Sequence, residues 1–256
     1  MANGVERPAK RDRPSLRLLV RRTERLTPHM IRVVLGGEDI AKFADNGYTD
    51  RYVKLQFPDS RRTYTVRDFD PAAGELTIDF VYHGDHGLAG PWAANAKPGD
   101  ELTFSGPGGA YAPAPAADWH LLVGDESALP AISNALEALP AGVPARVFIL
   151  VDGPAEEQKI DTDADARITW LHRESGSGDL AAAVRGLEFL PGTVHAFVHG
   201  EAGFVAELRR HLRDERGIGK DLLSISGYWR RGKNEDGWRA EKAEMRQAEE
   251  AAAPGA

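Results

Sequence analysis

The pattern of apolar residues changes at residues 113–118, the segment Pro-Ala-Pro-Ala-Ala-Asp. Before this segment, short stretches with alternating apolar and polar residues predict strands, separated by turn signals such as Pro58-Asp59 and Pro98-Gly99. The predicted strands are residues 16–22, 31–36, 52–57, 63–69, 76–82 and 101–105, and residues 88–96 form one predicted helix. Six strands in roughly 90 residues favour a small closed, antiparallel Greek-key β-barrel over a sandwich.

After residues 113–118, predicted strands alternate with predicted helices. The strands are residues 119–123, 145–151, 168–172, 194–199 and 223–226, and the helices are residues 128–139, 179–187 and 204–216. This alternation predicts an α/β domain with a mostly parallel sheet covered on both faces. We therefore expect a mobile arm at 1–15, a barrel domain at 16–115, an α/β domain at 116–233, and a C-terminal helix with a frayed tail at 234–256.

Composition excludes several classes of function. The 256-residue chain contains 0 Cys, so disulfides and cysteine-ligated iron–sulfur clusters are excluded. A net charge of −7 gives no support to nucleic-acid binding. No apolar run approaches the ~20 residues of a membrane-spanning helix, and the chain does not begin with the apolar stretch of a secretory signal. We expect a cytoplasmic, monomeric protein that is not inserted in a membrane.

The segment Arg62-Thr63-Tyr64-Thr65 lies in a predicted strand. Alternation places Arg62 and Tyr64 on one side of this strand. A guanidinium can hold a phosphate with two hydrogen bonds, and a Tyr ring could lie along the edge of a flavin. The hydroxyl of Thr65 could form a hydrogen bond near the flavin N5 atom. The alternative is a solvent-facing Arg beside an ordinary cross-strand Tyr–Thr pair.

Residues 83–93, His-Gly-Asp-His-Gly-Leu-Ala-Gly-Pro-Trp-Ala, form a glycine-rich stretch that leads into the predicted helix. Such a stretch can present backbone N–H groups to a pyrophosphate. The alternative is a loop with a packed Trp92. His83 and His86 have a spacing that suits a metal ion, but no third ligand is evident, so no metal site is predicted.

A third segment, residues 124–130, follows a predicted buried strand and precedes a predicted helix. Open α/β sheets bind ligands at this position. The segment Gly-Asp-Glu-Ser-Ala-Leu-Pro is not the Gly-x-Gly-x-x-Gly fingerprint, so a standard Rossmann dinucleotide site is not predicted.

The three segments, in this order and spacing, resemble those of the siderophore-interacting protein family, the flavin-dependent ferric-siderophore reductases of the ferredoxin-NADP reductase-like superfamily. Residues 53–58, 106–109, 200–202 and 226–232 are also similar, and the resemblance covers roughly residues 16–239. Arg-x-Tyr-Thr alone indicates only a flavin domain. The segments Gly-Asp-Glu-Ser-Ala-Leu-Pro-Ala-Ile and Gly-Tyr-Trp-Arg-x-Gly are much more specific.

The resemblance implies FAD as cofactor, NADPH or NADH as electron donor and an anionic ferric siderophore as substrate. The implied FAD contacts are Arg62, Tyr64, Thr65, Arg67, His83, Gly84, Gly90, Pro91, Trp92 and Ala93. The implied nicotinamide contacts are Gly124, Asp125, Glu126, Ser127, Gly200, Glu201 and Ala202. The implied siderophore contacts are Lys54, Arg230 and Arg231. Some relatives have a further base in the helix where this chain has Ser133 and Asn134.

The predicted function is therefore reduction of chelated Fe(III) to Fe(II) by an oxidoreductase whose side chains bind and orient the reactants. Hard oxygen donors hold Fe(II) less tightly than Fe(III), so reduction releases the iron. Reduced ferredoxin is an alternative donor, and Arg173 is one candidate for contact with a 2′-phosphate. Two other functions stay open: a general NAD(P)H:flavin or ferredoxin-type oxidoreductase, and a non-redox siderophore-binding module.

Overall fold

A computed structural model describes residues 15–58, 60–176, 178–233, 237, 238, 241 and 244 of the chain. The first half is a closed antiparallel barrel with strand order β1-β2-β5-β4-β3-β6. Its strands are β1 (Ser15–Thr27), β2 (Met30–Gly36), β3 (Tyr52–Phe57), β4 (Ser60–Asp70), β5 (Glu75–Val81) and β6 (Glu101–Gly108). The predicted six-stranded barrel is confirmed, and its non-sequential neighbours give it Greek-key connections.

Alternating side chains fill the inside of the barrel. In β1, Leu16, Leu18 and Val20 are buried while the residues between them are exposed. A short helix, α1 (Ala89–Asn95), packs against this core through Ala89 and Ala93. Both are small residues, which allows the helix backbone to approach the strands closely.

The second half is a parallel sheet with strand order β11-β10-β7-β8-β9. The strands are β7 (Trp119–Asp125), β8 (Pro144–Val151), β9 (Asp165–His172), β10 (Val194–Glu201) and β11 (Leu223–Trp229). The helices are α2 (Leu129–Glu137), α3 (Leu180–Arg185) and α4 (Ala202–Arg210). The predicted α/β domain is confirmed, and all seven residues of the central strand β7 are buried. None of the helices described in the structure has the length and apolarity needed to cross a membrane.

Several elements differ in length from the sequence-based prediction. The helix predicted at 204–216 begins at Ala202, where the Glu201 side chain accepts a hydrogen bond from the Gly203 N–H, and its last turn, His211–Glu215, is π-helical. Strand β11 continues to Trp229 because its parallel pairing with β10 extends that far. A pattern along one chain does not show where the partner strand ends. The predicted arm at 1–15, apart from Ser15, and most of the tail at 234–256 lie outside the described residues.

The two halves are joined by a packed and hydrogen-bonded interface. Tyr111, just after the barrel, is buried against Phe197 of β10 with ring centroids 4.8 Å apart. From α2, the Asn134 side-chain amide donates to the backbone oxygens of Thr49 and Val66 at 3.0 and 2.9 Å. These contacts connect the barrel to α2 and so fix the walls of the space between the two halves.

Candidate active site

A cavity of about 720 Å³ lies between the barrel and the carboxyl end of the parallel sheet. The barrel side is lined by Asp50, Tyr52, Lys54, residues 62–65, Asp79, Val81, His83, residues 86–90, Gly109 and Ala110. The other side is lined by Glu126, Ser127, Pro130, His199, residues 224–229 and Trp238. This volume is within the range of about 300–1,000 Å³ that is usual for ligand and cofactor sites.

Strand β4 borders the cavity where the barrel opens. Its pairing with β5 covers only residues 66–70, whereas its pairing with β3 covers residues 60–65. Residues 62–65 therefore face the cavity on the side where residues 66–70 pair with β5, and all four line it. Simple alternation places Arg62 and Tyr64 on one side of the strand and Thr63 and Thr65 on the other. In the structure Thr63 and the buried Thr65 line the cavity as well. The Tyr64 ring lies 4.6 Å from that of Phe80, which fixes it from the barrel core.

The two acidic side chains on the barrel wall are held by protein donors. Asp79 accepts two hydrogen bonds from the guanidinium of Arg32, at 2.7 and 2.8 Å. Asp50 accepts backbone hydrogen bonds from Ala110 and Tyr111, both at 2.9 Å. Burial raises the pKa of Asp50, and these two hydrogen bonds oppose that rise. Both carboxylates on this wall are therefore held by groups of the protein itself.

On the opposite wall, Glu126 belongs to a charged network. Arg173 donates to Glu126 at 2.6 Å and to Asp152 at 2.8 Å. Burial raises the pKa of Glu126 to about 7, the charge of Asp125 adds to the rise, and Arg173 opposes it. His83 Nε2 lies 3.7 Å from Glu126 Oε1, and burial lowers the pKa of His83. The guanidinium of Arg173 is thus bound by two carboxylates rather than directed at the cavity.

Asp125, directly before Glu126, is fully buried and does not line the cavity. Its carboxylate accepts hydrogen bonds from the N–H and hydroxyl of Ser127, the N–H of Glu201 and the indole N–H of Trp229. Burial raises its pKa, and these hydrogen bonds act in the opposite direction. Asp125 therefore ties together the ends of β7, β10 and β11 and holds Trp229 at the cavity wall.

Two glycines of the predicted nicotinamide site are required by packing. A Cβ atom on Gly124 would lie 2.8 Å from the His199 backbone oxygen. A Cβ atom on Gly200 would lie 2.6 Å from Asp125 Oδ2, and its φ of +137° also disfavours other residues. These positions admit only glycine without displacement of their neighbours, whatever the cavity binds.

The structure brings together eight of the residues predicted to bind ligands. Those that line the cavity are Lys54, Arg62, Tyr64, Thr65, His83, Gly90, Glu126 and Ser127. Those that do not are Arg67, Gly84, Pro91, Trp92, Ala93, Gly124, Asp125, Gly200, Glu201, Ala202, Arg230 and Arg231. Arg67 instead donates to Asn134 and pairs with Glu137 of α2. Trp92 is partly buried and packs against the barrel core, with its ring centroid 5.6 Å from that of Phe80.

Several lining residues were absent from the predicted site, among them Asp50, Asp79, His199, Tyr228 and Trp238. Two of them carried a signal in the sequence. Asp79 is an acid within an apolar strand, and His199 ends another, directly before Gly200. His199 accepts or donates a 2.9 Å hydrogen bond with the Ser224 hydroxyl, and its ring stacks on Phe197 at 4.0 Å.

Comparison with family models identifies both halves of the chain. Residues 117–232 match the model described as Siderophore-interacting protein. Residues 19–61 and 58–111 match the model described as Siderophore-interacting FAD-binding domain. The chain belongs to the siderophore-interacting protein family. The predicted family is thereby confirmed over both the barrel and the parallel sheet.

Three relatives of this family member span most of its length. An uncharacterised protein of Mycobacterium tuberculosis (strain H37Rv) is 45% identical, with 89% of this chain and 94% of that protein covered. The ferric vibriobactin reductase of Vibrio cholerae (strain N16961) is 34% identical, with 94% and 97% covered. The NADPH-dependent ferric-chelate reductase of Escherichia coli K12 is 30% identical, with 89% and 98% covered.

The fold of this family member is also similar to that of solved structures. A siderophore utilization protein from T. fusca superposes with a TM-score of 0.79 at 40% identity, covering 86% of this chain and 94% of the other. The similarity therefore extends over both halves of the chain.

The cavity residues fit the FAD that the family model names. Arg62 supplies a guanidinium suited to a phosphate. Tyr64, Tyr228 and Trp229 supply aromatic surface, and Thr65 supplies a hydroxyl beside them. The charge of the Asp79 carboxylate is balanced by the Arg32 guanidinium, and the Asp50 carboxylate accepts two backbone hydrogen bonds. Size, aromatic surface and charge thus agree with a flavin nucleotide.

Proposed function

We propose that this protein is an NAD(P)H-dependent, FAD-containing reductase of ferric siderophores. The observation that carries the proposal is the cavity between the two halves, which is lined by residues 62–65 of β4 and by Lys54 of β3. Support comes from the Vibrio cholerae and Escherichia coli relatives, whose names describe a ferric vibriobactin reductase and an NADPH-dependent ferric-chelate reductase.

Residues of the barrel hold the cofactor in this proposal. Arg62 binds phosphate, the Tyr64 ring contacts the flavin, and Thr65 offers a hydroxyl to it. The chemistry that bound FAD would supply is acceptance of an electron pair as hydride from the nicotinamide and transfer of single electrons to iron. Phe80 supports Tyr64 from the core, and Asn134 fixes the strand through the Val66 carbonyl, so the side chains are oriented before any ligand binds.

The substrate is a ferric ion held in an anionic oxygen-donor chelate. Because the chain has a net charge of −7, attraction of such a chelate depends on local cations rather than on the whole molecule. Lys54 lies on β3 directly opposite Thr63 of β4, so its ammonium group is beside the proposed flavin strand. Reduction to Fe(II) weakens the hold of hard oxygen donors and releases the metal.

The electron donor binds, in this proposal, at the carboxyl ends of β7, β10 and β11. Glu126 and Ser127 are the predicted donor-binding residues that line the cavity there. Both NADPH and NADH are included, and reduced ferredoxin is the alternative donor. We also propose a monomer that acts in the cytoplasm, where reduced nicotinamides are formed.

An absorbance spectrum of the purified protein tests this function. We expect a flavin band, bleaching of that band on anaerobic addition of NADPH or NADH, and its return on addition of a ferric chelate with Fe(II) trapped by a chromogenic chelator. A colourless protein that acquires no flavin on incubation with FAD would contradict the proposal. Reoxidation only by free flavin or ferredoxin would assign the protein to the general reductases.

A further inference from the structure

A tryptophan from the C-terminal segment forms part of the cavity wall. Trp238 is only 6% exposed and lines the cavity beside Gly227 of β11. A Cβ atom on Gly227 would lie 2.8 Å from Trp238 Cζ2, so the glycine makes room for the indole. The contact therefore depends on a small residue at one position of the sheet, as expected for specific packing.

The same segment also forms ion pairs with basic side chains at the cavity rim. Glu241 Oε1 lies 3.0 Å from Arg230 Nη1, and Glu241 Oε2 lies 2.6 Å from Lys233 Nζ. The Arg230 guanidinium lies over the Trp238 ring, 5.8 Å from its centroid. Trp238 and Glu241 are both helical and three residues apart, so they lie on the same helix face. We call these two residues the tail contact.

Glu241 of the tail contact pairs with two cationic side chains, Arg230 and Lys233, that could otherwise bind an anionic ligand. A carboxylate between a guanidinium and an ammonium group has the charge and the oxygen acceptors of such a ligand. The Arg230, Lys233 and Glu241 side chains are 42%, 46% and 23% exposed. Ion pairs with this exposure are weak, so an incoming anion can replace Glu241.

We propose that the tail contact determines the charge specificity of the rim. Glu241 competes with an anionic chelate for Arg230 and Lys233, while a neutral chelate is unaffected by that competition. The proposal agrees with the position of Arg230, a predicted siderophore contact that pairs with Glu241, lies over the Trp238 ring and does not line the cavity. The inference rests on the proposed function in taking a ferric chelate as the ligand.

The test is Glu241→Gln in the full-length, FAD-loaded protein. The probes are redox-inert gallium(III) complexes, an anionic tris-catecholate and a neutral tris-hydroxamate, with dissociation constants measured by titration calorimetry. We expect about five-fold tighter binding of the anionic complex, since Glu241→Gln removes two weak competing ion pairs, and no change for the neutral one. Glu244→Gln is the matched control, because it removes the same charge from an exposed position in the same segment.

Unchanged binding of the anionic complex in Glu241→Gln would overturn the inference, as would equal tightening of both complexes or an equal effect of Glu244→Gln. A second readout needs no chelate: quenching of Trp238 fluorescence by acrylamide, with the Trp238→Phe protein subtracted. If neither complex binds any variant, the proposed function fails. The tail contact is then judged by quenching alone, which should increase in Glu241→Gln and not in Glu244→Gln; no increase overturns it.

Discussion

Two adjacent arginines on β4 have different surroundings. Arg62 is half-buried and lines the cavity, whereas Arg61 is exposed and is not part of the lining. We expect Arg62→Ala to weaken FAD binding about 10-fold to 100-fold, the usual effect of losing a hydrogen bond between charged groups. Retained flavin, measured by absorbance after gel filtration, reports the loss.

Arg61→Ala is the control for this change, because it removes the same charge one residue away. We expect this variant to retain its flavin. If Arg62→Ala also retains a full complement of FAD, the assignment of β4 as the cofactor strand is wrong.

Glu126 gives the protein a specific dependence of stability on pH. Its pKa in the folded protein is about 7, against 4.5 for an exposed Glu, mainly because of burial. Between these values the folded state holds a proton that the unfolded state has lost. The stability gained from this proton is complete below pH 4.5 and is lost as the pH rises to about 7.

We therefore expect the wild type to lose more free energy of unfolding than Glu126→Gln between pH 4.5 and 7, by on the order of 3 kcal/mol. Urea unfolding at several pH values measures the difference. The glutamine cannot ionise, and the titration of groups distant from Glu126 cancels in the comparison. Parallel stability curves for the two proteins would show that Glu126 is not the group responsible.

At the scale of elements, helix α2 is hydrogen-bonded to the barrel half through the buried side-chain amide of Asn134. Asn134→Ala leaves the backbone oxygens of Thr49 and Val66 without its two hydrogen bonds. We expect the free energy of unfolding to fall by about 2 kcal/mol, since buried groups lose hydrogen bonds that water does not replace. Urea unfolding measures the fall.

Glu137→Gln provides the comparison for Asn134→Ala. Glu137 is on the same helix at a more exposed position, and this change weakens its ion pair with Arg67 of β4. We expect it to lower the free energy of unfolding by less than about 1 kcal/mol. Equal effects of the two changes would mean that the buried amide has no special role at this interface.

Pattern and turn chemistry predicted most elements, but not how they meet. Strand β3 has the predicted bounds because turn residues flank an alternating segment. The opening between β4 and β5 could not be predicted, since it depends on which residues of β4 find a partner. Asp125 is a charged residue, yet it is fully buried, and two of its four hydrogen-bond donors, the Glu201 N–H and the Trp229 indole N–H, come from distant segments. The residues near Asp125 in the sequence do not show which distant residues will contact it.

At the scale of the whole molecule, a net negative chain is proposed to bind a negative substrate. Lys54→Gln should weaken binding of the anionic gallium tris-catecholate about five-fold, which corresponds to about 1 kcal/mol for one charge near the surface. The effect should nearly vanish in 1 M salt, where charges are screened beyond ~3 Å.

Lys97→Gln is the matched control for Lys54→Gln, because Lys97 is exposed and does not line the cavity. We expect no change in binding for this variant at either salt concentration. An effect of Lys54→Gln that persists in 1 M salt would indicate a packing role for the lysine stem instead of attraction by its charge.

The buried carboxylate of Asp125 has a consequence for the order in which the protein is completed during synthesis. Its indole donor, Trp229, is 104 residues further along the chain. A nascent chain that has emerged only as far as β10 therefore contains the acid but not its last donor. The cavity wall cannot form before translation has passed Trp229, so we expect ribosome-bound chains arrested before that residue to bind no flavin.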